Sequence, residues 1–330
     1  MKLALFGDVM LGRLVNDALR RRPAEYPWGD VLPLLADADV RLCNLECVLS
    51  DGGRPWRPTQ KAFHFRSDAK NVAVLQAAGI DAVALANNHT IDFGYGAMQD
   101  MFGLLDRAGI ARAGAGMNAA EARQPAMLGC DGVRIGLIAF TDNEPQWEAR
   151  DEWPGAYHVP TQPDDRRVAA LLEHVQRTRR QVDLLILSAH WGGNWGREPP
   201  REHVQLGRAL VEHGADVVYG HSCHVVRGVE LHRGRPILYS TGDFVDDYAV
   251  DETERNDWSF VFVVDSKGGA IMRLRLYPTV IRESQARVAD EPERSAIAER
   301  MAGLCGELGT QAAWRADAAC LEIPVNGSRP

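Results

Sequence analysis

The sequence predicts an α/β protein in which two sheets pack face to face with helices outside. Three observations predict this. The first part of the chain alternates short apolar runs with segments of helical spacing, the pattern of parallel strands joined by crossovers. The last third reads instead as strands separated by Gly-containing turns, the pattern of antiparallel hairpins. The 330 residues, 45% hydrophobic and 25% charged, have an ordinary globular composition and enough length for a large core.

The elements follow in order. "KLALFGD" opens the chain as a strand, and helical spacing runs over residues 11–22. "ADVRLCNLE" is a second strand with a polar end, and residues 67–78 suit a helix with Ser67 as its N-cap. "DAVALANN" is a third strand, and "YGAMQDMFGLLDRAG" a helix closed by Gly109. "ARQPAMLGCDGVRIGLIAFTD" is a hairpin around Asp131 and Gly132. Residues 164–178 form a helix, "VDLLILSAHWG" a buried strand, "REHVQLGRALVEHG" a helix and "ADVVYGHSCH" another strand. "RGVELHRGRPILYSTGDF" turns at Arg233 and Gly234, and "WSFVFVVDSKGGAIMRLRLYPTVI" turns at residues 267–269. Residues 54–58 and 143–165 read as loops.

A formal charge of -8 argues against nucleic acid or an anionic membrane as a general partner, because phosphate binding needs a net basic face. The apolar start is broken by Gly7, Asp8 and Arg13 and shows no cleavage site, so it is expected to be a strand and not an export signal. No run is long enough to anchor the chain in a membrane. The six cysteines have no CxxC pairing, which makes reduced thiols in a cytoplasmic protein the expectation.

Polar residues gather where the predicted strands end, the edge at which open α/β sheets carry their ligand sites. These are Asp8, then Asn44 and Glu46, then Asn87, Asn88 and His89, then His190, then His221 and His224. Each has an ordinary alternative: Asp8 as a helix cap, Asn88 as a turn former, His190 as a hydrogen-bonded core histidine. Their joint placement on one rim is what the alternatives do not explain. Carboxylates, an amide and several imidazoles without thiolate suit a pair of divalent ions such as manganese, iron or zinc. Two such ions need a shared carboxylate, and Glu46 or Asp8 could bridge. His89, beside a ligand Asn88, could stay outside the metal shell and protonate a leaving group, with Asp92 orienting its ring. Arg13, Lys61 and Arg66 could bind a substrate anion. Trp191, next to His190, is a further candidate to support the ligands or touch substrate.

The stretches "GDVMLGR", "NLE", "LANNHTIDFG", "GAGMN", "HWG", "GHSCH" and "ILYSTGDF" together resemble the CapA type of poly-γ-glutamate capsule biosynthesis proteins, a branch of the calcineurin-like metallophosphatase superfamily. The resemblance implies a four-layer α/β/β/α sandwich and a dinuclear metal centre. By motif match Asp8 stands for the first aspartate ligand, Glu46 for the bridging acid, Asn88 for the amide ligand and His89 for the catalytic imidazole. His190, His221 and His224 match the later histidine ligands, with Asn44 and Asp92 behind them. Three departures stand out. The Asp-x-His opening of the superfamily is here Asp8-Val9-Met10, Glu46 replaces the usual aspartate, and "GHSCH" spaces its histidines one residue wider. Where the family often shows Gly-Asn, Gly242-Asp243 offers one more carboxylate to the rim. The metallophosphatase-like domain is expected over residues 1–280, with 281–330 as a C-terminal helical extension packed on it.

The leading expectation is a metal-dependent hydrolase cutting a phosphoester or amide in a small-molecule or peptidic substrate. Two other readings keep the fold: a peptide-modifying enzyme such as a Cα epimerase, and a binding subunit for an acidic polymer without turnover.

Overall fold

The computed structural model describes residues 1–325. Two large sheets face each other. The larger has ten strands. Its centre is Lys2–Val9, flanked by parallel Val40–Leu45, Ala82–Ala84 and Ala111–Ala113 on one side and by antiparallel Trp258–Lys267 and Ala270–Arg282 on the other. The smaller has six strands, with parallel Val133–Thr141, Leu184–His190, Val217–His221 and Arg235–Leu238 at its centre.

The central strands are apolar on both faces, and each face has its own destination. On Lys2–Val9, Leu3 and Leu5 point into the space between the sheets, while Ala4 and Phe6 point to the helices outside. On Leu184–His190, Leu184 and Ile186 join the middle core, while Leu185 and Leu187 face the other helical layer. That outer layer holds Arg166–Arg179 and Arg201–Glu212, and Gly94–Ala108 lies on the opposite side. The result is the four-layer α/β/β/α sandwich.

The three hairpins lie where the sequence places them, and Asp131 and Gly132 take consecutive left-handed conformations (φ 51° and 77°) that match the twist of a two-residue hairpin. Gly109 closes its helix at φ 72°. Two expectations need correction. Ser67 is no N-cap: it sits in the short strand Arg66–Ser67, paired with Val48–Leu49, and its hydroxyl donates to Asn16 Oδ1 at 3.1 Å. The helix begins later, at Val72–Ala77, after the 3-10 turn Ala69–Asn71. The segment after residue 280 is only partly helical, and the boundary at 280 falls inside the strand Ala270–Arg282. The helix Glu293–Glu307 is present, and its Ile297, Met301 and Cys305 join the middle core. Cys320–Pro324 pairs with Ala270–Arg282 and turns Leu321 and Ile323 into that core, so this tail extends the sheet. No helix among the described residues is long and apolar enough to cross a membrane.

Candidate metal centre

Strand register assembles the site. Asp8 is level with Asn44 on one neighbouring strand and with Asp243 on the other. In the second sheet His190 is level with His221. Parallel strands end on the same edge, so both rows project from the same rim of the sandwich. The sheets are tied there: Tyr219 Oη donates to the Phe6 carbonyl, and Ser222 N donates to Asp8 Oδ2 at 3.2 Å. Gly7 makes the Asp8–Asp243 alignment possible. A Cβ at Gly7 would lie 1.9 Å from the Gly242 carbonyl oxygen, and without one the strands approach until Asp8 N donates to that oxygen at 2.9 Å.

Two overlapping ligand sets result. Asp8, His190 and His221 form one; Asp8, Glu46, His224 and Asp243 form the other; within each set the candidate ligand atoms lie within 4.8 Å of one another. Asp8, rather than Glu46, contributes to both sets. Ser188 Oγ lies 2.7 Å from His221 Nε2, which turns His221 Nδ1 toward His190 Nδ1 at 2.8 Å and Asp8 Oδ1 at 3.4 Å. His190 Nε2 meets Asn88 Oδ1 at 2.8 Å. Asn44 Nδ2 donates to Asp8 Oδ1 at 2.8 Å, holding the shared carboxylate. His224 returns to the rim through a loop with left-handed backbone at Ser222 (φ 104°) and His224 (φ 64°), conformations that cost about 1–3 kcal/mol each and need outside support.

The doubled amide at residues 87 and 88 divides its work. Asn87 Nδ2 donates to Asn44 Oδ1 and the Leu45 carbonyl at 3.0 and 2.9 Å, and its Oδ1 accepts from His89 N and Thr90 Oγ1 at 2.9 and 3.1 Å. It pins the loop, which leaves Asn88 to face His190. His89 Nδ1 donates to Asp92 Oδ2 at 2.6 Å, and the Phe65 ring stacks on the imidazole at 3.9 Å. The other ring nitrogen, Nε2, lies 3.8 Å from Glu46 Oε1.

A cavity of about 390 Å³ opens over this rim, lined among others by Arg13, Lys61, Phe65, His89, His224 and Tyr248. Arg13 stands at its mouth, 5.9 Å from the rings of Phe63, Phe65 and Tyr248 and 3.4 Å from Asp247 Oδ2. Lys61, with a side chain only 5% exposed, donates to the Asn88 carbonyl and lies 3.2 Å from Glu144 and 3.4 Å from Asp92. Arg66 is not part of the cavity: it donates to the Gly52 carbonyl and lies over the Phe93 ring. Trp191 touches neither cavity nor ligand set through its ring. It is fully buried, stacks on His203 at 4.7 Å and donates from Nε1 to the Tyr239 carbonyl at 3.0 Å. Replacing Trp191 with Phe leaves that carbonyl unpaired and is expected to lower unfolding free energy by about 1–3 kcal/mol in urea titrations, with metal content unchanged. Sequence reasoning passed over Asp246 and Tyr248, although "GDFVDDY" places Asp246 three residues after Asp243.

The electrostatics are those of a site short of positive charge. Burial raises Asp8 to about 6 and Asp246 to about 6. Burial, followed by the charges of Asp8 and Asp243, holds Glu46 well above the usual carboxylate range, and burial with Asp246 does the same to Asp243. Burial lowers His190, His221 (to about 3) and His224, which keeps these imidazoles neutral; burial lowers His89 too, opposed by the adjacent Asp92 carboxylate, which favours its protonated form.

An α/β/β/α sandwich whose paired strand ends carry converging ligand sets defines a protein of metallophosphatase-like fold. A family model described as "Bacterial capsule synthesis protein PGA_cap" matches residues 2–248, and the chain belongs to that family. It is 31% identical over 334 residues to a "Probable polyglutamine synthesis accessory protein" of Mycobacterium tuberculosis, spanning 97% of this chain and 87% of that one. It is 26% identical over 249 residues to the "PGA biosynthesis protein CapA" of Bacillus subtilis, spanning 75% and 63%. Among solved structures it is similar to "Putative 5'-Nucleotidase from Staphylococcus aureus in complex with alpha-ketoglutarate", with TM-score 0.52 and 12% identity over 91% of this chain and 58% of that one. At that identity the likeness concerns the fold alone.

Proposed function

We propose that this chain is a metal-dependent hydrolase of capsule-polymer biosynthesis, cutting a phosphoester or amide bond in an anionic small-molecule or peptidic substrate. The observation that carries the reading is the membership of Asp8 in both ligand sets, since a two-ion hydrolase needs one carboxylate shared between its positions. The donors fit such ions. Both carboxylate oxygens of Glu46 are buried without a hydrogen-bond partner, as are Asp243 Oδ2 and Asp246 Oδ2. Unpaired buried carboxylates are costly unless a cation offsets them. His190 and His221 would hold one ion, with Asn88 at the far ring nitrogen of His190, and Glu46, Asp243 and His224 would hold the other, Asp8 being a member of both sets. Divalent ions bound there supply water activation and stabilise an anionic transition state.

The chain's own residues supply the rest. Asp92 accepts the Nδ1–H of His89 and favours the imidazolium, whose second proton, on Nε2 facing the cleft, is the one available to a leaving oxygen or nitrogen. Phe65 restricts the ring's rotation. Arg13 and Lys61 line the cavity and could meet an anionic group there, although each already faces carboxylates. The capsule context is supported by the names of the relatives.

Elemental analysis with a screen of phosphoester and peptide substrates tests the proposal. Two ions per chain and turnover abolished by chelation are expected. A metal-loaded protein that cleaves neither bond class would return the chain to the role of a binding subunit. Chelation is also expected to lower the melting temperature. Ligand binding at a free ion concentration ~1,000-fold above Kd contributes about 4 kcal/mol, roughly 6 °C for a chain of this size.

A further inference from the structure

The two ligand sets differ in chemistry, and the difference traces to two residues on adjacent strands. Met10 stands where the superfamily pattern has a histidine. Its side chain is buried with the helix-side core, and its sulfur accepts from Gly12 N at 3.0 Å, so it turns away from the rim. Asp243 comes to the same ion position from the next strand, level with Asp8. Its Oδ1 lies 2.9 Å from His224 Nδ1, while Oδ2 is buried without a partner. Glu46 has both oxygens unpartnered at the same place. The cations nearest this end are engaged elsewhere: Lys61 with Asp92 and Glu144, Arg13 with Asp247. One position therefore offers three carboxylates, Asp8, Glu46 and Asp243, and one imidazole, His224. The other offers two imidazoles, His190 and His221, with the Asn88 amide beside them and Asp8 shared.

We propose that Asp243 is a metal ligand that takes the place of the absent first-strand histidine and makes the two positions unequal. The carboxylate-rich position takes a hard ion such as Mn(II) or Mg(II), and the imidazole-rich position takes a softer ion such as Zn(II). Oxygen donors suit the first group of ions and imidazoles the second. The inference rests on the metal centre proposed above and is independent of which bond is cut. The rival role for Asp243 is to orient His224 through Nδ1, as carboxylates behind metal-bound histidines do.

Metal-free full-length protein loaded with one equivalent of Zn(II) and then titrated with Mn(II) separates these roles, with bound ions followed by elemental analysis and the Mn(II) EPR signal. Wild type is expected to hold one Zn(II) and one Mn(II) per chain. Asp243→Asn keeps an oxygen that can accept from His224 but loses the charge. As a lost ligand it weakens Mn(II) by more than 100-fold and leaves Zn(II) bound, whereas loss of an orienting partner costs 10–100-fold or less. His190→Ala is the reciprocal control, releasing Zn(II) and keeping Mn(II). Retained Zn(II) and an unchanged far-UV CD spectrum show that Asp243→Asn is folded. An Asp243→Asn protein that binds Mn(II) within about 100-fold of wild type overturns the proposal, and so does a wild type whose first Zn(II) occupies the carboxylate position and blocks Mn(II). A wild type that loads both ions yet hydrolyses nothing overturns the hydrolase reading alone; a turning-over Asp243→Asn with both ions overturns this inference alone.

Discussion

Replacing His89 with Ala is expected to lower kcat on a phosphoester or peptide substrate by about 10²–10⁴-fold, the usual contribution of a positioned general acid. KM and the number of bound ions should stay near wild type. The separation follows from geometry. His89 lies next to Asn88 in sequence, but its ring belongs to neither ligand set. Its Nδ1 is held by Asp92 and its face by Phe65, leaving Nε2 toward the cleft. Removing the ring therefore removes a proton donor without removing a ligand. Asp92→Asn tests the same arrangement from behind: an amide can present its NH₂ to Nδ1, reversing the tautomer, and kcat should fall by a smaller factor with ion content unchanged. Steady-state kinetics with elemental analysis on both variants checks this. A His89→Ala enzyme with wild-type kcat removes the imidazole from the chemistry, and one that loses its ions assigns it to the metal shell.

Much of the fold is legible in the sequence because its strands are buried on both faces. A run such as "LLILSAH" has no soluble face to hide in a loop, and the polar residues that end it mark the rim. His190, His221, Asn88 and Asp8 are legible for the same reason: each ends an apolar run. What escapes is set by partners distant in the chain. Ser67 looks like a helix cap in isolation, yet pairing with Val48–Leu49 claims its backbone and Asn16 its hydroxyl. The tail strand Cys320–Pro324 is short and ends in proline, so only its pairing with Ala270–Arg282 identifies it. Trp191 follows a ligand directly but, being the next residue of an extended chain, points to the opposite face and into the outer core. Asp246 escapes because it sits in an acidic stretch past the last rim motif, whereas Asp243, read as one more carboxylate for the rim, is brought level with Asp8 by the approach of Gly7 to Gly242.

Asp8→Asn is expected to weaken both ion positions together, by at least about 100-fold each, because one carboxylate serves both. The same change should stabilise the metal-free protein at neutral pH. Burial raises the folded-state pKa of Asp8 from 3.8 to about 6. A raised carboxyl pKa means that the folded protein favours the protonated form, so stability is fullest below pH 4 for this group and is lost as pH rises through 6. Metal-free wild type should therefore melt at a lower temperature at pH 7.5 than at pH 5 on account of Asp8 and its neighbours Glu46 and Asp243, which burial and mutual repulsion shift the same way. Asparagine fills the same volume and carries no charge to desolvate, and its single oxygen can still accept from one of the two donors, Asn44 Nδ2 or Ser222 N. Melting curves of the metal-free proteins across this pH range should show a smaller loss for Asp8→Asn, and added Mn(II) or Zn(II) should raise the wild type far more than the variant. The two effects have opposite signs because the carboxylate is a burden without ions and a ligand with them. A variant less stable than wild type when both are metal-free, yet with full ion affinity, would make Asp8 a structural acceptor for Asn44 and Ser222 and dissolve the shared site.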